Sequence, residues 1–144
     1  MGITAGVDIQ RPLETVFAFA SDVSNLPLYD KNIHEAKKLI EGSIGVGTTY
    51  QLIARPFGIR MVVVLELTGH EPHTHFAFKV ISGPFPVETH YTFTSLGHGT
   101  QVSGAREPQP GGFWKWMTPL ITSPARKKLE TELNSLKAYL EAHS

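Results

Sequence analysis

The sequence predicts an α+β fold in which a curved antiparallel β-sheet wraps around one long C-terminal α-helix. From Val46 to Glu107 the chain consists of short extended stretches separated by turn residues, as in an antiparallel meander. Because one amphipathic helix cannot cover its own apolar face, the strands must supply the second layer. Apolar residues that recur every three or four positions predict the helix itself: Trp114, Met117, Ile121, Ala125, Leu129, Leu133, Leu136 and Leu140.

Composition limits the number of domains and the kind of partner. A chain of 144 residues is expected to form a single domain over 1–144. Its 13 basic and 13 acidic residues balance, which argues against a nucleic-acid partner. The absence of cysteine excludes disulfides and thiolate metal sites. Neither a signal peptide nor an apolar run of about 18 residues is recognisable, so we expect a cytoplasmic, bacterial protein without stable membrane insertion.

The N-terminal part predicts one strand followed by a helical corner. Residues 3–9 alternate between apolar and polar types, which is the period of a half-buried strand. Pro12 is placed to open a short helix that ends near Ser21 and Asp22. A second short helical turn begins at Asn25. The two short helices should therefore form one linked corner.

Six further strands follow from alternating side chains and from the turn residues that separate them. In the longest, 59–68, the odd positions are uniformly apolar and the even positions are mixed, so one face should be dry. We expect this strand to end in a turn over 69–72. The predicted strands are 35–40, 48–55, 59–68, 75–81, 87–94 and 100–106.

The terminal helix contains two conflicting start signals. Ser123 and Pro124 resemble an N-cap and a first-turn proline. A start there would place the basic residues 126–128 at the positive end of the helix dipole, which is unfavourable. The apolar stripe also continues upstream of this point. We therefore expect a helix over about 113–142 that is kinked or interrupted at Pro119 and Pro124.

A set of short motifs extends over nearly the whole chain. They are 11–19 with Ser21-Asp22, Gly45–Thr48, Glu71-Pro72, Phe76–Phe78, Tyr91–Phe93 with Gly99-Thr100, and Leu129–Glu141. In these motifs the chain resembles the bacterial polyketide cyclase/dehydrase and lipid-transport family of the SRPBCC (START-like) superfamily. One position departs, because the family commonly has Trp where this chain has Tyr29. The resemblance implies the helix-grip fold, an apolar ligand and no cofactor, and only some members are enzymes.

The resemblance also implies a pocket between the concave face of the sheet and the terminal helix. Ligand pockets are mostly apolar and contain a few placed polar groups. The alternative is a filled core built from the same residues. The candidate lining residues are Tyr50, Met61, Val63, Phe76, Phe78, Tyr91, Phe93, Trp114, Met117 and Ile121.

Polar residues near this predicted pocket are the candidates for chemistry. Glu88 and His90 share one face of a strand and could act as a base with its orienting carboxylate. Alternation assigns polar residues to the solvent face by default, which favours that placement for both. Arg106 suits a carboxylate ligand, or it pairs with Glu107 or another carboxylate at the rim. The catalytic candidates are therefore His90, Glu88 and Arg106, and Tyr50 and Tyr91 are candidates for orienting a ligand.

Two further clusters have both a functional and a structural interpretation. His70, Glu71, His73 and His75 include metal-ligand types, but a hairpin turn would expose such ligands, so we predict no metal. The segment 114–116, together with the basic residues 126–128, could lie on an anionic membrane. Nearby glutamates dilute this charge, which favours a solvated helix face.

These observations support three functional hypotheses. The first is a binding or carrier protein for a small hydrophobic or amphipathic molecule, such as a lipid or a polyketide-like compound, acting as a monomer or homodimer. The second is an enzyme of the cyclase or dehydratase type that uses acid–base side chains in the same pocket. The third is a protein-interaction module with a filled interior.

Overall fold

The computed structural model describes residues 3–55, 58–83, 87–108 and 112–143, with backbone only for 108 and 112–125. All seven strands belong to one antiparallel sheet in the order β1-β7-β6-β5-β4-β3-β2, so the first strand pairs with the last. The predicted fold class is confirmed. The elements are β1 (Ile3–Ile9), α1 (Leu13–Ala20), a 3₁₀ helix (Val23–Leu28), β2 (Ile33–Lys38), β3 (Thr49–Ala54), β4 (Met61–Glu71), β5 (His75–Ser82), β6 (Val87–Ser95), β7 (Thr100–Pro108) and α2 (Gly112–Ala142).

The predicted turn over 69–72 is wrong, because β4 continues to Glu71. Gly69 lies at an irregularity in the pairing with β5, where the register shifts between Leu67 and Gly69. Glycine is common at such bulges as well as in turns. The hairpin turns later, at His73, whose φ of 63° is the left-handed conformation that a tight turn requires.

Helix α2 begins upstream of Pro124. This start was predicted because a start at Pro124 would have placed the basic residues 126–128 at the positive end of the helix dipole. It is continuous from Gly112 to Ala142, so the alternative of an interruption at Pro119 or Pro124 is wrong. Within the described part of the chain, no helix is both long enough and apolar enough to cross a membrane.

The described half of α2 packs on the concave face of the sheet through one apolar stripe. Gly104 on β7 allows the close approach, because a Cβ atom there would lie 3.1 Å from Tyr91 Cε1 and 3.2 Å from Leu129 Cδ1. Burial of such side chains is the main stabilising contribution of the core. The stripe consists of Leu129, Leu133, Leu136 and Leu140, all at most 4% exposed.

Helix α1 closes one end of the concave face. The ring of Phe17 meets those of Phe93 and Phe76 edge-on, with centroid distances of 5.1 and 6.4 Å. The ring of Phe19 stacks on Tyr139 of α2 at 5.1 Å and also contacts Tyr29 at 5.7 Å. These contacts fix the corner between the sheet and α2 and hold the segment after the 3₁₀ helix beside the sheet.

Candidate functional site: an internal cavity with a buried ion pair

A cavity of about 140 Å³ lies between the concave face of the sheet, the helical corner and α2. Its wall is apolar along β3, β4 and β5 and becomes polar where β6 and β7 face α2. The described lining residues are Ala20, Val23, Leu26, Tyr29, Asp30, Ile33, Leu52, Leu65, Phe76, Phe78, Val80, Val87, Thr89, Tyr91, Arg106, Lys128 and Glu132.

Aromatic rings form a continuous apolar part of the sheet wall. The rings of Phe76 and Tyr91 stack across β5 and β6 with centroids 5.1 Å apart and planes inclined by 27°. Phe78 continues this surface, 6.2 Å from Phe76 and 6.3 Å from Tyr91. Stacked and tilted ring pairs of this kind form rigid apolar surfaces.

The polar wall is organised by Arg106. Its Nε donates to Thr89 Oγ1 at 3.1 Å, and its Nη2 donates to Tyr91 Oη at 3.4 Å and to Glu132 Oε2 at 3.0 Å. The Arg106 and Glu132 side chains are only 16% and 15% exposed. The guanidinium is therefore held by one carboxylate and two hydroxyls inside the protein.

The strand register and the helix period explain why these side chains meet. Arg106 lies opposite Thr89 in the β6–β7 pairing, so the two side chains share a face. Tyr91 is two positions from Thr89 and points the same way. On α2, Glu132 is three residues after Leu129 and four before Leu136, so it lies on the face turned toward the sheet.

Burial and charge perturb the pKa values of these groups. Burial raises the pKa of the Tyr91 hydroxyl above its ordinary range, and the Glu132 carboxylate adds to the effect. Burial does the same to the pKa of Tyr29, with contributions from Tyr91 and Glu132. Burial, and then repulsion from Glu132, raise the pKa of Asp30. Desolvation alone would lower the pKa of Arg106, but the Glu132 and Tyr91 contributions exceed it and raise the pKa.

The sequence model of the family described as polyketide cyclase / dehydrase and lipid transport matches residues 2–141. The chain belongs to this family. A search of curated protein sequences gave no significant match.

Solved structures share the fold at low sequence identity. The protein TTHA0849 from Thermus thermophilus is 22% identical, with a TM-score of 0.79 and 100% of both chains covered. A START superfamily protein from Mycobacterium smegmatis is 16% identical, with a TM-score of 0.83 and 99% of both chains covered. The Zhui aromatase/cyclase from Streptomyces sp. R1128 is 13% identical, with a TM-score of 0.78, over 98% of this chain and 93% of that one.

The predicted lining residues of this family member divide into four groups. Phe76, Phe78 and Tyr91 line the cavity. Tyr50 and Phe93 are buried on the same side of the sheet but are not among its described lining residues. Met61 and Val63 lie on the concave face, opposite Ala54 and Leu52, and are not among the described lining residues either. The side chains of Trp114, Met117 and Ile121 lie outside the described residues.

The helical corner explains why Tyr50 and Phe93 belong to the core and not to the cavity wall. Phe93 is covered by the Phe17 ring of α1. Tyr50 is fully buried near the start of the 3₁₀ helix, where burial and the Asp22 carboxylate raise the pKa of its hydroxyl to about 12.

Two of the three catalytic candidates lie on the wrong face for chemistry in the cavity. Because Thr89 and Tyr91 point inward, Glu88 and His90 must point outward. There, His90 Nε2 lies 2.8 Å from Glu88 Oε1, with the two side chains 46% and 39% exposed. Arg106 points inward and forms the ion pair that the alternative expected, but the partner is Glu132 and not Glu107, and the pair is nearly buried.

The histidine cluster has a structural role. The rings of His70 and His73 pack edge-on against Phe17 at 5.6 and 5.8 Å, and His75 Nδ1 lies 3.5 Å from Glu71 Oε2. Among the residues whose side chains are described, no group of three or more potential ligands is placed to hold a metal ion. Residues 114–116 fall in the segment whose side chains are not described, so the membrane interpretation is not tested.

Sequence reasoning missed five polar members of the cavity lining: Tyr29, Asp30, Thr89, Lys128 and Glu132. Two of them carried a usable signal. Glu132 falls inside the apolar stripe of α2, and Thr89 shares a strand face with Tyr91 and Phe93. Tyr29 and Asp30 follow the 3₁₀ helix in an irregular segment, where no periodicity predicts the direction of a side chain.

Proposed function

We propose that this protein binds a small hydrophobic or amphipathic molecule in the internal cavity and carries it. The observation that supports this most directly is an apolar cavity whose polar groups are concentrated on one wall. That distribution is typical of small-molecule sites, in which apolar contacts supply affinity and few polar groups fix orientation. Membership of a family described by lipid transport and polyketide chemistry is in keeping with it.

The size of the cavity restricts the ligand. A volume of about 140 Å³ is close to the roughly 150 Å³ of an engineered apolar cavity that binds benzene. Pockets that hold drug-sized ligands measure about 300–1,000 Å³. A single ring therefore fits the described cavity, whereas a long lipid or a multi-ring polyketide exceeds its volume.

Ligand-dependent stabilisation, compared between two variants of α1, tests the proposal. Ala20 lines the cavity, and Ala18 lies exposed on the same helix. A ligand at about 100 times its Kd stabilises the native state by about 2.7 kcal/mol, which raises Tm by about 5–10 °C in a domain of this size. We expect Ala20→Leu to abolish the ligand-induced shift and Ala18→Leu to retain it. Native mass spectrometry of the purified protein should also detect a bound apolar molecule.

Two results would contradict the binding proposal. One is a ligand shift that survives Ala20→Leu unchanged. The other is the absence of any shift with apolar ring, alcohol and fatty-acid probes. If Ala20→Leu fails to fold, Val87→Phe fills the cavity from the opposite wall.

An enzymatic function of the cyclase or dehydratase type is the second candidate. It is favoured by the acid–base groups that share the cavity, above all Asp30, whose raised pKa suits a proton donor. An enzyme should convert its bound molecule, for example with loss of water. Asp30→Asn should then remove turnover while binding persists, and Glu130→Gln, on the exposed side of α2, should change neither. An unchanged ligand mass in the presence of the wild-type protein would favour the carrier function.

The remaining expectations are also proposals. We propose a cytoplasmic location and a monomeric or homodimeric state, on the basis of the cysteine-free sequence and the internal position of the site. The protein-interaction hypothesis predicts a filled interior, and the cavity does not favour it.

A further inference from the structure

We infer that the cavity selects a neutral ring compound that carries a hydroxyl or carbonyl group, and that it rejects the matching carboxylate. The inference rests on the proposed binding function and specifies its ligand class. It follows from the way in which the charges of the polar wall already neutralise one another.

Four charged side chains line the cavity, and their formal charges add up to zero. Arg106 is paired with Glu132 at 3.0 Å in the interior. Lys128 and Asp30 contribute one further charge of each sign, and Lys128 is the more exposed of the two. A bound carboxylate would leave the cavity with a net negative charge beside two existing carboxylates. Such a charge loses its hydration without gaining an unpaired buried cation, because Arg106 is already paired with Glu132 and Lys128 is exposed to solvent.

The raised pKa of Asp30 supports the rejection of a carboxylate ligand. Burial and the Glu132 carboxylate both raise the pKa of Asp30. The cavity therefore already disfavours a second negative charge near Glu132, although Asp30 keeps the hydrogen bond from the Asn32 backbone N–H at 2.9 Å. A carboxylate ligand would face the same burial and the same repulsion.

A neutral polar group, in contrast, finds suitable partners. The Thr89 and Tyr91 hydroxyls lie beside the guanidinium, and Tyr29 lines the same cavity. The raised pKa values of both tyrosines keep their hydroxyls protonated near neutral pH. Protonated hydroxyls both donate and accept hydrogen bonds, so they suit an alcohol, a phenol or a ketone.

The walls favour a ring as the apolar part of the ligand. The aromatic surface formed by Phe76, Phe78 and Tyr91 offers ring contacts, edge-on or offset, to a planar molecule. The volume of about 140 Å³ matches one such ring.

Acetophenone and benzoate provide a matched pair of probes, because they have the same number of non-hydrogen atoms and differ in charge near neutral pH. We expect wild-type protein to bind acetophenone at least about tenfold more tightly, as measured by titration calorimetry or ligand-observed NMR, since the buried guanidinium that a carboxylate would need is already paired with Glu132. Glu132→Gln releases Arg106 from its carboxylate and should reverse the preference. Glu130→Gln on the exposed face of α2 should leave it unchanged.

The outcomes separate this inference from the proposed function. If wild-type protein binds benzoate as tightly as acetophenone, the inference fails and ligand binding stands. If Glu132→Gln leaves the ratio unchanged, the pair does not set the preference and the inference also fails. If neither probe binds at about 10 mM, a concentration at which even weak binding is detectable, the inferred ligand class of a single neutral ring is wrong. The thermal-shift measurements with the other probes then test the proposed binding function. The wild-type ratio requires no variant, so it decides alone if Glu132→Gln does not fold.

Discussion

The two faces of the sheet each carry a contact between a basic and an acidic side chain, and the two contacts differ in burial more than in distance. On the outer face, His90 Nε2 and Glu88 Oε1 are 2.8 Å apart and both side chains are more than a third exposed. On the inner side, Arg106 Nη2 and Glu132 Oε2 are 3.0 Å apart and both side chains are nearly buried. Water screens the first contact and is largely excluded from the second. Distance alone therefore identifies neither the stabilising pair nor the functional one.

Truncating the inner carboxylate should have the largest effect on stability. Glu132→Ala leaves the Arg106 guanidinium buried without a counter-charge, a change that typically costs about 3–5 kcal/mol. Urea-induced unfolding monitored by circular dichroism would measure the loss. The matched outer change, Glu88→Ala, should cost less than about 1 kcal/mol, because exposed pairs contribute little.

A double variant shows whether the inner pair serves stability or ligand binding. Replacing both partners by apolar residues of similar size, in Arg106→Met with Glu132→Leu, removes the buried charges together. Such replacements are often neutral or stabilising by about 1–4 kcal/mol. Wild-type-like stability combined with loss of the preference for neutral ligands would assign the pair to binding. A double variant as unstable as Glu132→Ala would contradict that assignment.

The carboxyl group of Asp30 should make the stability of the protein depend on pH. Because its pKa is raised by burial and by Glu132, the folded state binds a proton more readily than the unfolded chain. Stability should therefore fall as the pH rises from the unfolded carboxyl pKa of about 3.9 through the raised folded value, and the penalty should persist at neutral pH. Asp30→Asn retains an oxygen acceptor for the Asn32 N–H and removes the charge. We expect a higher Tm at neutral pH and a flatter pH dependence.

The control for this prediction is Asp8→Asn, which alters an exposed aspartate of β1. Differential scanning calorimetry at several pH values would compare the three proteins. Equal pH profiles for Asp30→Asn and the wild type would show that ionisation of Asp30 does not lower the stability of the folded state.

The architecture could be predicted from the sequence because it depends on periodicity. Seven alternating stretches and one helical stripe indicated the strand order of a meander and a helix that starts upstream of Pro124. The inward direction of Arg106 could not be predicted from the sequence pattern alone. Near the end of a strand the alternation is short, and a long basic side chain suits either face. The pairing of Arg106 with Thr89 fixes the inward direction of its side chain, and this register depends on contacts between β6 and β7. Tyr29 and Asp30 were unpredictable because an irregular segment has no period, and only the contacts of the corner fix it.

The outer face should tolerate substitution with almost no effect. His90→Ala removes the exposed contact with Glu88 and leaves Thr89 and Tyr91 in place on the inner face. The free energy of unfolding should change by less than about 0.5 kcal/mol, as for other exposed positions. Acetophenone affinity and any turnover should match the wild type, because no described atom of the cavity is altered. A loss of binding or turnover in His90→Ala would transfer the functional site to the convex face and would return the Glu88–His90 pair to the role of a catalytic base with its orienting carboxylate.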